Sequence, residues 1–571
     1  MSEENLLKEK FKEIKNDKLI FILLVIVIIL GIFTRVQDTS GISYWGDDES
    51  TIPVGLLFFY PHTYFPGLSG VSEPPLGNLI IASGCMLSGE DFSKVTEIQP
   101  SFYPGRELLL GEPLINAQDY CHAPIILFGI LFFLAVIVIA ILLLNRYSAI
   151  YVISFFAFLP ELLTYSRYIH TDIIYMTFSA IGLIFLFLFF KSEKQTKKEK
   201  LFLILSVSFF GLASATKFPG LGFIAFAGII FLIKFWDEIK TTSNEKIKPL
   251  VIFAIESIIA FLFFFLLPFQ LNPKNLIDVL KSYSTVYSDV SGFTFGSLFF
   301  KNIYNLFLNV NILDLILLIV SIYIIYKLIK NKEKTKEEKF IIYLSSWFIL
   351  LSFFSYALKL FRISIPFLMG VMCLVSLVFS NKYYPLKKNR KLIFGIFIII
   401  YLLFSVFSSL SNSPTFLNKN SLVCSISPDE SSCNPNPMNH AARQISDYLK
   451  PILKEEDTFI PITPVTLTYY LNRGESLYNL QFNSQFEQQF KKSADLADYI
   501  AYYHPGNKSV RFVIINPNRL PEQKGFYSLY QEFTPTKIIK LAGKDAVYIY
   551  DLKNLSKKDI GINTAPGTNT I

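Results

Sequence analysis

The chain has 571 residues, of which 52% are hydrophobic and 16% aromatic, and its mean hydropathy is +0.43. That composition excludes an ordinary soluble protein, because long apolar runs with no polar face suit a bilayer instead. The net charge of +8 predicts no nucleic-acid partner, since the lysines crowd alternate loops rather than one patch.

A Lys-rich start, "LLKEKFKEIKNDK", precedes the first apolar run and lacks a small-residue cleavage site. Eleven runs then have the length and composition of membrane-spanning helices. They are Leu19–Phe33, Pro124–Leu144, Ala149–Thr164, Ile173–Phe190, Leu201–Ala215, Pro219–Ile233, Pro249–Phe269, Val310–Tyr326, Phe340–Leu358, Ile365–Ser380 and Leu392–Leu410. Lysines concentrate in "KSEKQTKKEK" (191–200), "KNKEKTKEEK" (330–339) and "NKYYPLKKNRK" (381–391). By the positive-inside rule these loops and the N-terminal segment 1–18 are cytoplasmic. With eleven spans the C-terminus then lies outside, and the protein is expected in the plasma membrane.

The outer segments are a long first loop, about 34–123, the tight turns "SRYIHTD", "ATKFPGL" and "LKLFRISIP", and the stretch 270–308. Within the last of these, "NLIDVLKSYSTVY" has an amphipathic pattern expected to lie on the membrane surface. From 411 to 571 the chain turns polar and reads as an extracytoplasmic α/β domain. "HAARQISDYLKPIL" and "FEQQFKKSADLADYIAYY" are helical in pattern, whereas "DTFIPIT", "VRFVIIN" and "DAVYIYDL" are strand-like. The tail "INTAPGTNTI" reads as disordered. The fold class is therefore an α-helical polytopic membrane protein carrying a C-terminal α/β domain.

Cys85 and Cys121 fall in the first outer loop, and Cys424 and Cys433 near the start of the outer domain. Two outer pairs fit disulfides in an oxidising compartment, with free thiols as the equal alternative. Asn507-Lys-Ser and Asn554-Leu-Ser are glycosylation triplets.

Basic residues that break the positive-inside rule mark the chemistry. Arg35, Arg167, Lys217, Lys359 and Arg362 all sit at predicted outer ends of spans. Arg presents a planar fork to phosphate and Lys a point charge, so the set suits a phosphorylated lipid head. Snorkelling to ordinary headgroups explains any one of them taken singly. On the same side lie Asp47, Asp48 and Glu49, in "SYWGDDEST", together with Asp172. A carboxylate there can take a proton from an attacking hydroxyl or hold a divalent metal. His170, in the Arg167–Asp172 turn, is the one suggestive histidine. Two acids within spans, Glu161 and Glu256, are candidates for contacts between helices.

Taken in order over 19–410, these segments resemble the GT-C membrane glycosyltransferases, closest to the protein O-mannosyltransferase and lipid A aminoarabinose transferase superfamily. Asp48-Glu49 is similar to that family's Asp-Glu pair after the first span, and Arg35 to a basic residue at that span's end. "EPPLGNLIIA" resembles its Pro-Pro-Leu segment, "SRYIHTDIIYMTF" its Arg…Asp turn, "GLASATKFPGL" its Thr-Lys turn and "LKLFRISIPFLMG" its late basic turn. Glu73, where a basic residue or His often stands, departs from the pattern, as does His122 before the second span. The resemblance implies transfer of a sugar from a polyprenyl (dolichyl) monophosphate to a hydroxyl of a protein, lipid or glycan, with inversion. Asp48 would be the general base and Glu49 its catalytic neighbour. Arg167, Asp172, Lys217, Lys359 and Arg362 would serve the donor phosphate, with Asp47, Arg35 and His170 as further candidates. No cofactor is required on this reading; a divalent metal, if used, would fall to Asp47, Asp48 and Glu49. The competing class is a transporter or flippase of a phosphorylated lipid, which should show midplane charges and related halves rather than polar residues at one rim.

Overall fold

The computed structural model describes residues 3–36, 56, 74–94, 96–98, 108–110, 113, 116–240, 244–271, 276–277, 312–330, 333–354, 361–380, 390–411, 437–454, 457–461, 509–515, 529–541 and 544–557. These fall into two compact units, one ending before residue 436 and the other made chiefly of the residues after it.

The described part of the first unit is mainly helical and also holds the short strand Leu108–Leu110. An amphipathic helix, α1 (Glu3–Lys15), leads into α2 (Lys18–Val36). Next come α3 (Leu76–Met86), α4 (Gln118–Leu143), α5 (Arg146–Phe158), α6 (Pro160–Tyr165), α7 (Asp172–Lys191), α8 (Lys197–Thr216) and α9 (Leu221–Lys234). The series closes with α10 (Asn244–Leu266), α11 (Ile312–Lys330), α12 (Lys336–Phe354), α13 (Phe361–Ser376) and α14 (Arg390–Ser411). Every apolar run read from the sequence is helical in its described part, as it must be where only intrahelical bonds can satisfy the backbone. Among the described residues five stretches are long and apolar enough by themselves to cross a membrane: Lys18–Val36, Gln118–Leu143, Asp172–Lys191, Lys197–Thr216 and Ile247–Gln270. The chain is a multi-pass membrane protein.

Two runs differ from single spans for a local reason. Ala149–Thr164 breaks at Leu159, which is extended (φ −63°, ψ 114°), because Pro160 disfavours helix in the residue before it and opens α6 instead. Pro219–Ile233 begins as a 3-10 turn, Phe218–Gly220, for the same reason. Helices α4 and α7 form the interior and are buried along most of their length, whereas Ile22, Ile29 and Phe33 of α2 face outward. Close approach is made at small residues: a Cβ on Gly182 would lie 2.4 Å from the Phe210 ring, and one on Gly129 2.8 Å from Ser166.

The Lys-rich helix ends are tied by ion pairs. Lys234 meets Glu199 at 2.7 Å, Lys194 meets Glu238 at 2.7 Å, and Lys191 pairs with Glu337. Glu256 is no buried acid: it pairs with Lys200 at 2.5 Å with 39% of its side chain exposed. The Lys200 stem reaches this site while keeping its ammonium wet, whereas Lys234 and Glu199 are almost fully buried and compensate each other.

One of the two predicted cysteine pairs is bonded: Cys85 of α3 joins Cys121 of α4. Cys424 and Cys433 lie outside the described residues, as do Asn507, the surface stretch "NLIDVLKSYSTVY" apart from its residues 276–277, and the C-terminal tail. Closing a loop of 36 residues stabilises by roughly 2–4 kcal/mol, chiefly through the unfolded chain. Cys85→Ala is therefore expected to lower the melting temperature by several degrees and to leave Cys121 open to alkylation. A wild-type chain alkylated at Cys121 without reductant would refute the bond.

The second unit has helix α15 (Pro437–Leu449) packed on a four-stranded sheet: β1 (Asp457–Pro461), β2 (Ser509–Ile515), β3 (Lys537–Leu541) and β4 (Lys544–Asp551), in the order β1-β2-β4-β3. The first pair is parallel and the others antiparallel. Strand β3, "KIIKL", escaped the sequence reading because Lys537 and Lys540 disguise its three apolar residues. Ala441, Ile445 and Leu449 bury one helix face against Phe512, Ile514, Ile539, Val547 and Ile549.

At one end of this sheet Asp457 accepts from Arg511 (2.7 Å) and Lys553 (2.9 Å) and is fully buried. Burial alone would raise its pKa, but hydrogen bonds from Arg511 and Lys553 win and hold it at about 2. A pKa depressed on folding stabilises the fold at neutral pH, in full above the unfolded value of about 4, and that stability is lost as pH falls through about 2. Asp457→Asn is expected to cost about 3 kcal/mol at pH 7, because Arg511 and Lys553 lose the buried carboxylate they share and Arg511 keeps only its longer contact to Asp551, and to match wild type near pH 2. Pulse proteolysis of the full chain in urea would measure both. A constant difference across that range would refute the assignment.

Candidate active site

Two tight turns supply the polar residues, and each is written locally in the sequence. In the first, α6 ends at Tyr165, and the Ser166 hydroxyl donates back to the Leu162 carbonyl at 2.7 Å. The chain turns through Arg167–Thr171 and re-enters helix at Asp172, the first residue of α7. A carboxylate there is favoured by the helix dipole. In the second, α8 stops at Thr216 and Lys217 is extended (φ −151°, ψ 134°) because Pro219 cannot continue the helix. Gly220 folds the turn back so closely that a Cβ would lie 2.5 Å from the Ser214 nitrogen.

The two turns meet. Lys217 Nζ donates to Asp172 Oδ1 at 2.6 Å, with side chains 3% and 0% exposed. His170 Nδ1 lies 2.6 Å from Asp172 Oδ2, and the Asp172 backbone N–H points at the same Nδ1 from 3.3 Å. The edge of Tyr165 covers the imidazole, with 5.4 Å between ring centres. Arg167 is buried in the same turn. Removing three or four ionisable groups from solvent is costly unless they compensate one another. Here Asp172 holds Lys217 and His170 in fixed positions. An ammonium has three N–H donors, and the bond to Asp172 uses one of them.

Helix α3 seats on this cluster. A Cβ on Gly77 would lie 2.6 Å from Thr171 Cγ2 and 2.9 Å from Thr216 Cγ2. Those two threonines directly precede Asp172 and Lys217. Sequence reading missed Gly77, Thr171, Thr216 and the neighbouring Asn78. The signal available was a lone Gly-Asn in an otherwise apolar helix, "LGNLIIASGCM".

Of the residues proposed from sequence, His170, Asp172 and Lys217 are brought into contact, and Arg167 shares their turn. Arg35 belongs elsewhere. It is fully buried and donates to the carbonyls of Gly31 (2.7 Å), Phe156 (3.0 Å) and Ala157 (3.2 Å), with its guanidinium 4.7 Å from the centre of the Phe133 ring. It braces α2 against α5 and α4, and its described hydrogen bonds all go to backbone. Arg362 lies in the first turn of α13. The side chains of Arg362 and Glu161 lie outside the described residues, as do Asp47, Asp48, Glu49, Glu73 and Lys359 altogether. His122 is buried in α4, next to the disulfide. Among the described residues no group of three His, Cys, Asp or Glu could hold a metal.

Residues 70–273 match the family model of the dolichyl-phosphate-mannose-protein mannosyltransferases. That segment contains α3, both turns and the whole His170–Asp172–Lys217 cluster. The chain is a membrane glycosyltransferase that depends on a polyprenyl-phosphate-linked sugar. No curated protein sequence matches it. Among solved structures it is similar to ArnT from Cupriavidus metallidurans bound to undecaprenyl phosphate: 12% identity, 93% of this chain, 97% of that one, TM-score 0.47. It is also similar to the Archaeoglobus fulgidus oligosaccharyltransferase tethered to an acceptor peptide: 10% identity, 90% of this chain, 73% of that one, TM-score 0.45. The AglB complex from the same organism, with an inhibitory peptide and a dolichol-phosphate, gives 11% identity, 95% and 75% coverage and a TM-score of 0.42.

Proposed function

We propose that the chain moves a sugar from a polyprenyl monophosphate to a hydroxyl acceptor at the extracytoplasmic membrane face, with inversion at the anomeric carbon. The observation that carries this reading is the buried Lys217–Asp172–His170 cluster within the segment matched to the mannosyltransferase family. With His170 neutral, Arg167, Lys217 and Asp172 sum to one positive charge, which complements the single negative charge of a phosphodiester-linked donor. As the sugar leaves, a second negative charge develops on the phosphate, and cations already held in place stabilise it without reorganising. Lys359 and Arg362 are assigned to the same phosphate, and Asp172 orients Lys217 rather than touching the donor.

The acceptor hydroxyl gives its proton to the Asp48 carboxylate while its oxygen forms the new bond to the anomeric carbon. The bond from that carbon to the phosphate oxygen breaks, and its electron pair leaves with the polyprenyl phosphate. Glu49 orients the acceptor. The disulfide between α3 and α4 supports an extracytoplasmic site, since stable disulfides belong to oxidising compartments. The reading assigns phosphate neutralisation to side-chain cations, so activity should survive chelation.

The test supplies membranes containing the chain with radiolabelled dolichyl-phosphate mannose and glucose, with and without EDTA. Release of dolichyl phosphate with an inverted glycoside in the product is the expected result. Labelled lipid crossing the bilayer without sugar transfer would replace this reading with transport.

A further inference from the structure

We infer that Arg35 is a positioning residue for the transferase site: its guanidinium completes the broken end of α5, and so fixes the direction in which α6 delivers the Arg167–Asp172 turn. The inference rests on the reading of that turn as part of the site, and adds a residue that acts through α6 rather than on substrate. Helix α5 ends at Phe158, Leu159 is extended, and Pro160 opens α6. In an unbroken helix the Phe156 carbonyl would accept from the N–H of residue 160, and the Ala157 carbonyl from that of residue 161. Proline has no N–H, and Glu161 lies beyond the break, in the first turn of α6. Those are the two carbonyls of α5 that Arg35 serves: Nη2 donates to Phe156 O at 3.0 Å and Nη1 to Ala157 O at 3.2 Å. Nη1 also donates to the Gly31 carbonyl of its own helix at 2.7 Å. Gly31 is where α2 closes on α5, since a Cβ there would lie 3.3 Å from Ala157 Cβ and 2.6 Å from the Phe133 ring.

The chemistry of the group matches this task. A charge fully buried in an apolar bundle is retained for a reason, and bracing two apolar helices does not need one. The end of α5 does favour a cation, because a helix C-terminus carries partial negative charge. A planar guanidinium spans two successive carbonyls with separate nitrogens, whereas an ammonium presents a single point. The consequence reaches the site because α6 is short. It has six residues, Pro160–Tyr165, and the Arg167–Asp172 turn follows it directly. The setting of the chain at Leu159 is therefore passed to Arg167, His170 and Asp172.

The experiment compares wild type with Arg35→Met, Arg35→Lys, Pro160→Ala and the double variant Arg35→Met with Pro160→Ala. Transfer is measured in membranes with dolichyl-phosphate mannose and glucose, and amide hydrogen exchange on the purified full chain. Arg35→Met should exchange faster than wild type across residues 156–171 and no faster in the second unit. Its kcat should fall about 10- to 100-fold with KM for the donor within about threefold, because displaced cations matter most as charge develops on the leaving phosphate. Arg35→Lys keeps a cation at the same carbonyls and should fall between the two. Pro160→Ala gives residue 160 an N–H for the Phe156 carbonyl. Added to Arg35→Met, it should cost no further activity and should restore part of the exchange protection. Losses that multiply in the double variant, or activity lost with exchange at 156–171 unchanged, would overturn the inference, since an arginine touching the donor behaves in that way. Should Arg35→Met fail to fold, Arg35→Lys and the double variant carry the same comparison. If wild type transfers nothing, the proposed function falls, while the exchange comparison still decides whether Arg35 holds the break.

Discussion

Asp48→Asn should reduce sugar transfer by about 10³-fold while leaving dolichyl phosphate binding unchanged. An amide has the shape of the carboxylate and cannot accept the acceptor's proton, so the substitution removes the base and little else. General bases contribute on the order of 10²–10⁴-fold, and a hydroxyl acceptor needs one because its own pKa lies far above neutrality. The wild-type rate should fall on the acid side as the carboxylate is protonated, and the residual activity of Asp48→Asn should lack that limb. Asp47→Asn is the control and should retain most of the activity. Full activity in Asp48→Asn would move the base to Glu49.

Lys217→Met should cost more than activity. Asp172 is fully buried, and Lys217 donates to it at 2.6 Å. Removing one partner of a buried pair leaves the other charge uncompensated, at about 3–5 kcal/mol. Asp172→Asn alone should destabilise for the converse reason, since it strands the ammonium. The double variant Lys217→Met with Asp172→Asn removes both charges, so its stability should recover most of the loss and the coupling should be strongly non-additive. Transfer should not recover, because no ammonium remains to meet the leaving phosphate. Recovery of activity in the double variant would mean that the pair is purely structural. Lys217→Arg should also be impaired, since a planar guanidinium does not fit a position shaped for an ammonium.

Much of the helical framework was legible in the sequence, because membrane helices announce themselves by length and apolarity alone. The interruption at Pro160 was legible in principle, since that residue stands inside an apparent span. Three strands of the second unit were read as strand-like from their β-branched and aromatic residues, whereas "KIIKL", short and with two lysines in five residues, does not stand out. Arg167, His170, Asp172 and Lys217 could be proposed as a group because they are ionisable residues at helix ends in an apolar chain, and such residues are retained there only for a reason. The same logic also selected Arg35, whose two terminal nitrogens donate to three backbone carbonyls. Nothing in a one-dimensional reading separates a guanidinium facing a ligand from one facing the end of a neighbouring helix.

The sequence by itself determined that this is a multi-pass membrane protein with a polar C-terminal portion, and which ionisable residues deserve a role. Hydropathy and proline are local properties, and they act wherever they occur along the chain. Only the tertiary structure decided that Lys217 meets Asp172 across 45 residues, that Cys85 bonds Cys121, and that α3 closes on the same two turns at Gly77. Those contacts depend on which helix faces pack together, a choice set by small residues and shape complementarity between elements far apart in the chain.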